Sequence, residues 1–369
     1  MKVKVLFGAI FALGLFLIPL LALQYFEPED TPPAAMQALV STNLQNSEQQ
    51  TIEKQVHSPD VDEENLSKAL IFGRESAHGT ASFKILDRTT GKIAVVPVRD
   101  YVRGAVASEM PAIFHPEALK AQAVAAHTYA LYNYYQQQRS PDPALKGADF
   151  SADPSKREGY MSEKTAREFY GDDYAELYWD KICEAVDAVL PYIMEYDDEP
   201  IVAAYHAISA GQTEDAGNVW FASVPYLAPA YSEGCVLAPD YEVVTSFTVN
   251  EVKRLMLQKW PELDFSGEPE SWFYILNSSD SGYITEVDVA GKTLHGKDIR
   301  AALGLRSHSL EIDYTSEVFT FTAHGHGHGV GLSQYGADFM ARQGYTFDEI
   351  LENYYNGIAI RQVSRELLK

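Results

Sequence analysis

Three histidines alternate with glycines in HGHGHGVGLSQYGADFM, residues 324–340. In an extended strand, residues two apart share a face, so His324, His326 and His328 would point the same way. The outer two would then lie roughly 13 Å apart, at about 3.3 Å per residue. One zinc ion, with nitrogens at about 2.1 Å, can take two neighbouring imidazoles but not all three unless the strand bends sharply. His206 and Cys235 are the candidates to complete such a site. The competing chemistry is carbohydrate recognition. Glycines let a polymer approach the backbone, while His, Ser and Gln exchange hydrogen bonds with hydroxyl and acetamido groups, and Tyr offers a flat apolar face. Cys183 and Cys235 are the only cysteines, so a four-cysteine metal site is excluded by count. A disulfide between them is allowed outside the cell but is not indicated by their number alone.

The chain that must position these groups has 369 residues and a net charge of −23. That charge argues against nucleic-acid binding, which needs clustered Lys and Arg against phosphates. It leaves uncharged or mixed-charge polymers, glycans above all, as partners. After Lys2 and Lys4 comes an uncharged run of 19 residues, 5–23. This is close to the ~20 residues needed to span a bilayer, and longer than the apolar core of a cleaved signal peptide. Residues 1–24 are therefore expected to be a transmembrane anchor or an uncleaved signal. Both lysines would stay inside, so the protein would be single-pass in the cell membrane with its folded part extracytoplasmic. Residues 25–79 read as a flexible acidic linker, with nine acids and one Lys between Glu27 and Asn65. Its span would be roughly 40 Å, enough to carry a domain away from the membrane surface.

The folded part, 80–369, reads as α+β, in one lobe or two, with antiparallel hairpins and helices forming a groove. A hairpin is expected around Thr89–Thr90–Gly91, a helix over 99–110 stopped by Pro111, and an alanine-rich central helix opening at Pro116. Residues 139–160 read as loop, and 165–189 as mostly helical. A second hairpin should turn at Asp197–Asp198. Helices are expected at 249–260, 297–305, 333–344 and 346–356, a hairpin over 283–296, and a strand over 317–327.

Four stretches carry a resemblance. DYVRGAVASEMPAIFHPEALKAQAVAAHTYAL (100–131), SAGQTED (209–215), LHGKDIRAALGLRS (294–307) and HGHGVGLSQYGADFMARQG (326–344) are similar, in order, to the motifs of the SpoIID/LytB family. Members with an anchor and tether look like lytic transglycosylases that cut peptidoglycan glycan strands during forespore engulfment. Another branch enhances an amidase. The resemblance implies Glu109 of ASEMP as the catalytic acid, and His328, Ser333, Gln334 and Tyr335 as substrate contacts. Ser209 and Thr213 match less closely, because Ala210 stands where a glycine is usual. It also implies an amidase and a membrane protein as partners, and no cofactor. Some relatives carry zinc near the segment matching 206–235. Cysteine ligands at that density are missing here, so no metal is expected.

Glu109 makes physical sense as an acid only if it is poorly hydrated. The helix end disfavours a carboxylate by about 0.3–1 kcal/mol, under one pKa unit. Raising a Glu above pH 6 needs roughly 2.5 kcal/mol, so desolvation by Met110, Pro111, Ile113 and Phe114 must supply most of it. His127 stands where relatives carry Arg. If that position orients Glu109, its charge becomes pH-dependent near neutrality.

Overall fold

The computed structural model describes residues 75–220 and 222–364. The expected anchor and nearly all of the expected linker lie outside the described residues. Among the described residues, no helix is long and apolar enough to cross a membrane. The architecture is α+β, with helices and small, mainly antiparallel sheets, in two compact units.

The first unit comprises the described residues up to Ala203 together with the segment from Ile358. It opens with β1 (Glu75–Ser76) and the hairpin β2 (Ser82–Asp87)–β3 (Ile93–Pro97). Gly91 turns this hairpin at φ +66, where an L side chain would be strained. Helix α1 (Val98–Glu109) follows directly, and Met110 caps it in extended conformation before Pro111. In α2 (Pro116–Arg139) proline opens the helix, while the His115 ring accepts a hydrogen bond from Glu117 N. Ala118, Ala121, Ala123, Ala125, Ala126 and Ala130 are all buried, so the helix packs on most of its faces. Small side chains are what permit that close approach. The region expected to be loop instead contains β4 (Phe150–Ala152), which pairs parallel with β2. Two helices, α3 (Glu163–Tyr170) and α4 (Ala175–Val189), are separated by Gly171 at φ +74. Asp197 and Asp198, both left-handed, turn β5 (Tyr192–Tyr196) into β6 (Glu199–Pro200). The hairpin expected here is shorter than its alternation suggested, because the chain leaves the sheet after Pro200. Strand β15 (Ala359–Val363) returns from the far end of the sequence to complete the order β1-β15-β5-β6.

The second unit is Ala204–Gly357 in its described residues. Its elements are β7 (Tyr205–His206), α5 (Ala216–Trp220), β8 (Glu242–Thr248), α6 (Val249–Lys259), β9 (Phe273–Ser278), β10 (Ile284–Val289), β11 (Lys292–Leu294), α7 (Gly296–Leu303), β12 (Leu310–Thr315), β13 (Val318–His324), β14 (Leu332–Ser333), α8 (Gln334–Arg342) and α9 (Phe347–Tyr354). Two antiparallel sheets, β11-β10-β9 and β12-β13-β8, enclose a core that includes Met256, Trp272, Val287, Phe319 and Phe321. Thr248 and Glu251 form a reciprocal capping box at the start of α6, and Thr346 with Glu349 does the same for α9.

Candidate functional site

Glu109 is the last residue of α1, and a pocket opens beside it within the first unit. The pocket encloses about 540 Å³, part of it open to solvent. Ala107, Ser108, Met110, Pro111, Ala112 and Ile113 form one wall; Lys156, Arg157, Met161, Phe169, Tyr170 and Tyr178 form the other. Two contacts bring these walls together: Tyr170 Oη donates to Ala107 O at 3.4 Å, and Gly104 meets Met161. Met161 N donates to Gly104 O at 3.2 Å, and a Cβ on Gly104 would sit 2.0 Å from Met161 O. On the other side, Lys181 Nζ donates to Phe114 O at 2.6 Å and ties the turn after α1 to α4.

The Glu109 side chain is half-buried, with Met110, Ala112 and Phe114 buried next to it. No hydrogen bond or ion pair to its carboxyl is present among the described residues. Burial alone pushes its pKa up to about 8. The desolvation expected from the sequence is thus present, with Met110 and Phe114 buried beside the carboxyl and Ile113, 38% exposed, lining the same pocket. A carboxyl in this state is protonated at neutral pH and still lines a pocket that opens to solvent.

His127 is a correction. It is fully buried in α2 with the carbonyls of Leu190 and Tyr192 as its polar neighbours, and burial lowers its pKa to about 4. It is neutral at physiological pH, so the charge at this position does not change near neutrality.

The histidine run is a second correction. Strand β13 ends at His324, and the next four glycines, Gly325, Gly327, Gly329 and Gly331, all have positive φ between +72 and +110. The chain therefore does not keep its side chains on one face. His324 is half-buried beside Glu242, with Nε2 3.4 Å from the carboxylate. His326 is buried and accepts from Arg306 Nη2 at 3.2 Å. His328 packs against the rings of Trp220 and His206, at 4.9 and 5.6 Å between centroids. The glycines make room for the protein itself rather than for a polymer. A Cβ on Gly325, Gly327, Gly329 or Gly331 would meet Ile208 O, His206 Cβ, the Tyr283 ring or Ala204 O at 2.1–2.8 Å. This run is laced to the 205–214 segment through β7–β14 and the bridges Ile208–His326 and Glu214–Val330.

The remaining expected contacts fall in that laced region of the second unit. Ser209, Thr213 and Ser333 are fully buried; the hydroxyls of Thr213 and Ser333 bind the protein's own groups, while the Ser209 hydroxyl has no hydrogen-bond partner among the described residues. Ser333 Oγ accepts from Ser209 N at 3.2 Å and lies 3.0 Å from Cys235 Sγ; Thr213 Oγ1 accepts from Ala230 N at 2.8 Å. As placed, these three offer no open surface to a sugar. Gln334 is buried at the start of α8, while Tyr335, half-buried, has its phenol pushed up to about 12, chiefly by burial. His328 is half-buried and held neutral by burial.

Zinc does not fit the residues present. His206 Nδ1 donates to Val330 O at 3.1 Å and its buried Nε2 has no hydrogen-bond partner among the described residues, but Cys235 Sγ is engaged by Ser232 and Ser333, and His326 by Arg306. Among the described residues, no group of three or more His, Cys, Asp or Glu is arranged to hold a metal ion. Both cysteines are free thiols.

Several residues of interest carry no sequence signal that ties them to Glu109. Lys156, Arg157, Phe169, Tyr170 and Tyr178 lie 47–69 positions downstream and reach the pocket only through packing of α3, α4 and the loop before them. Buried Glu214, which accepts from Asp215 N and Asn218 Nδ2 at 2.7 and 2.9 Å, was likewise not singled out.

The described residues form an α+β protein with a pocket in which Glu109 is the single carboxyl group of the lining. Comparison with known proteins gives this class its family. Residues 87–196 match the SpoIID model, stage II sporulation protein. The chain is 36% identical to stage II sporulation protein D of Bacillus subtilis (strain 168), over 74% of this chain and 77% of that protein. It is 35% identical to the Bacillus amyloliquefaciens protein of the same name, with the same coverage. The amidase enhancer of Bacillus subtilis is 26% identical over 70% of this chain and 40% of its own length. The chain belongs to the SpoIID family of sporulation proteins.

Proposed function

We propose that this protein is a lytic transglycosylase that cleaves the MurNAc–GlcNAc bond of peptidoglycan glycan strands, leaving 1,6-anhydro ends. The observation that carries this reading is the protonated, poorly hydrated Glu109 lining a solvent-open pocket. As general acid, Glu109 gives its proton to the bridging oxygen as the C1–O bond breaks. A new carboxylate then stands in a poorly solvating pocket, which makes it a strong base. It takes the proton from the sugar's own C6 hydroxyl, and that oxygen closes on C1. One carboxyl group suffices, because no water or second carboxylate enters.

Residues 5–23 serve in this reading as a membrane anchor and 25–79 as an acidic tether, so that the catalytic part works in the cell envelope during engulfment. An amidase and a membrane protein are its partners. Gln334, Tyr335 and His328 contribute to glycan binding in the second unit, with Ser209, Thr213 and Ser333 holding that surface in shape. A second reading, a non-catalytic glycan-binding enhancer of a peptidoglycan amidase, is favoured by the similarity to the amidase enhancer. Digestion of purified glycan strands separates the two. Anhydro ends that disappear in Glu109→Gln support the first; stimulation of an amidase that survives Glu109→Gln, with no glycan cleavage by either form, supports the second.

A further inference from the structure

Strand β9 forms one edge of the sheet β11-β10-β9, and it pairs only with β10 among the described residues. Ala290 N donates to Trp272 O at 2.9 Å, and alternate residues of an antiparallel strand turn their backbone groups the same way. Tyr274 therefore bonds toward β10, while the N–H and C=O of Phe273 and Ile275 face away from the sheet. The side chains are as open as the backbone. Every residue of β9 after Phe273 is exposed, with Tyr274 at 68%, Ile275 at 40% and Leu276 at 43%. Ile275 stands opposite the fully buried Val287, so burial on that face stops short of the last strand. Edges are commonly blunted by Lys, Pro or a bulge. The strand FYILNS holds no Pro and no charge, and only an irregular register around Leu276 interrupts it.

The surroundings of this apolar edge have one sign. From Glu268 to Ala290 the chain carries five acids, Glu268, Glu270, Asp280, Glu286 and Asp288, and no Lys, Arg or His. Asp288 and Glu286 stand across from Tyr274 and Asn277 on the neighbouring strand. These charges select among occupants. A second copy would bring the same acids against them, which opposes pairing. This chain's own stretch from Glu27 to Asn65, with nine acids and one Lys, carries the same sign. We propose that β9 is a docking edge for an extended, basic segment of another protein, in which apolar residues alternate with Lys or Arg, added to the sheet as a fourth strand. Phe273 and Ile275 supply the main-chain bonds, Tyr274 and Leu276 the apolar contact, and the acids the choice of charge. This inference goes beyond the glycan reading and does not depend on it.

The test is fluorescence anisotropy of short synthetic peptides with the full-length protein. The probes are a peptide of alternating Val and Lys, one of alternating Val and Glu, and the Val–Lys peptide N-methylated throughout. The Val–Lys peptide should bind about tenfold or more tightly than either of the others, and less tightly as salt is raised. Ile275→Pro removes an outward donor, and Leu276→Lys sets a like charge against the basic peptide. Each should weaken Val–Lys binding about tenfold or more while circular-dichroism melts match the wild type. If Ile275→Pro lowers the melting temperature, Leu276→Lys decides, since that side chain is already exposed. Equal binding of the Val–Glu or the N-methylated peptide overturns the proposal, and so does Val–Lys binding that Leu276→Lys leaves intact. A dimer in sedimentation that Leu276→Lys dissolves would assign the edge to a second copy and overturn it as well.

Discussion

Replacing Glu109 by Gln should change how the protein's stability responds to pH, in a direction that can be worked out. In the unfolded chain the carboxyl titrates at its ordinary 4.5, and in the folded protein at about 8. Between those values the unfolded state binds fewer protons than the folded one, so stability falls as pH rises. The contribution is fully present below pH 4.5 and is lost as pH rises through 8. The slope for one group is about 1.36 kcal/mol per pH unit, which gives an upper bound near 5 kcal/mol over the window. The carboxyl faces a pocket that water can enter, so about 2–3 kcal/mol is the expected size. Glutamine does not titrate, and the buried histidines are common to both proteins, so the difference between the two curves isolates position 109. At about 2–4 °C per kcal/mol, the variant should gain roughly 4–12 °C relative to wild type between pH 4.5 and pH 8.5. Circular-dichroism melts of the full-length proteins across that range are the assay. Parallel curves, with a constant difference at every pH, would mean that the carboxyl is fully hydrated and that the argument for it as an acid is unsound.

Three other outcomes follow from the same geometry. The rate of glycan cleavage, as kcat/KM, should be level from pH 5 to 7 and fall tenfold per unit above about pH 8, where Glu109 loses its proton; a limb near pH 4.5 would contradict this. Gly104→Ala should lower the melting temperature and abolish cleavage together, because its Cβ would sit 2.0 Å from Met161 O and push the two pocket walls apart at a cost of about 1–3 kcal/mol. Exhaustive dialysis against a chelator should leave melting temperature and glycan cleavage unchanged, since no group of three or more His, Cys, Asp or Glu among the described residues is arranged to hold a metal ion; loss of either would restore a metal to the account.

Local signals in the sequence marked the elements that depend on local chemistry. Pro111 and Pro116 bound α1 and α2, Gly91 and Asp197–Asp198 turn their hairpins, and the alanines of α2 announced a helix packed on most faces. What was hidden is non-local. Strand β15 joins β1 and β5 across more than 160 residues of chain, and β4 pairs with β2 from within a stretch whose Gly, Pro and Asp content reads as loop. The histidine run shows why alternation alone misleads. Its period of two fits a strand, but glycine at every second position permits positive φ, and the backbone takes it four times to pack against residues 204–208 and Tyr283. At the site, Glu109 was legible from its motif, and its desolvation from Met110 and Phe114. Arg157 and the aromatic wall were not, because their proximity to Glu109 is created by tertiary packing, Gly104 against Met161 and Tyr170 against Ala107 among it.

The most direct test of the central claim is mass spectrometry of the strand ends left when purified, full-length protein digests peptidoglycan glycans. The account predicts 1,6-anhydro-muramyl ends from the wild type and none from a folded Glu109→Gln protein. Reducing ends from the wild type, or anhydro ends that persist without the carboxyl at position 109, would contradict it.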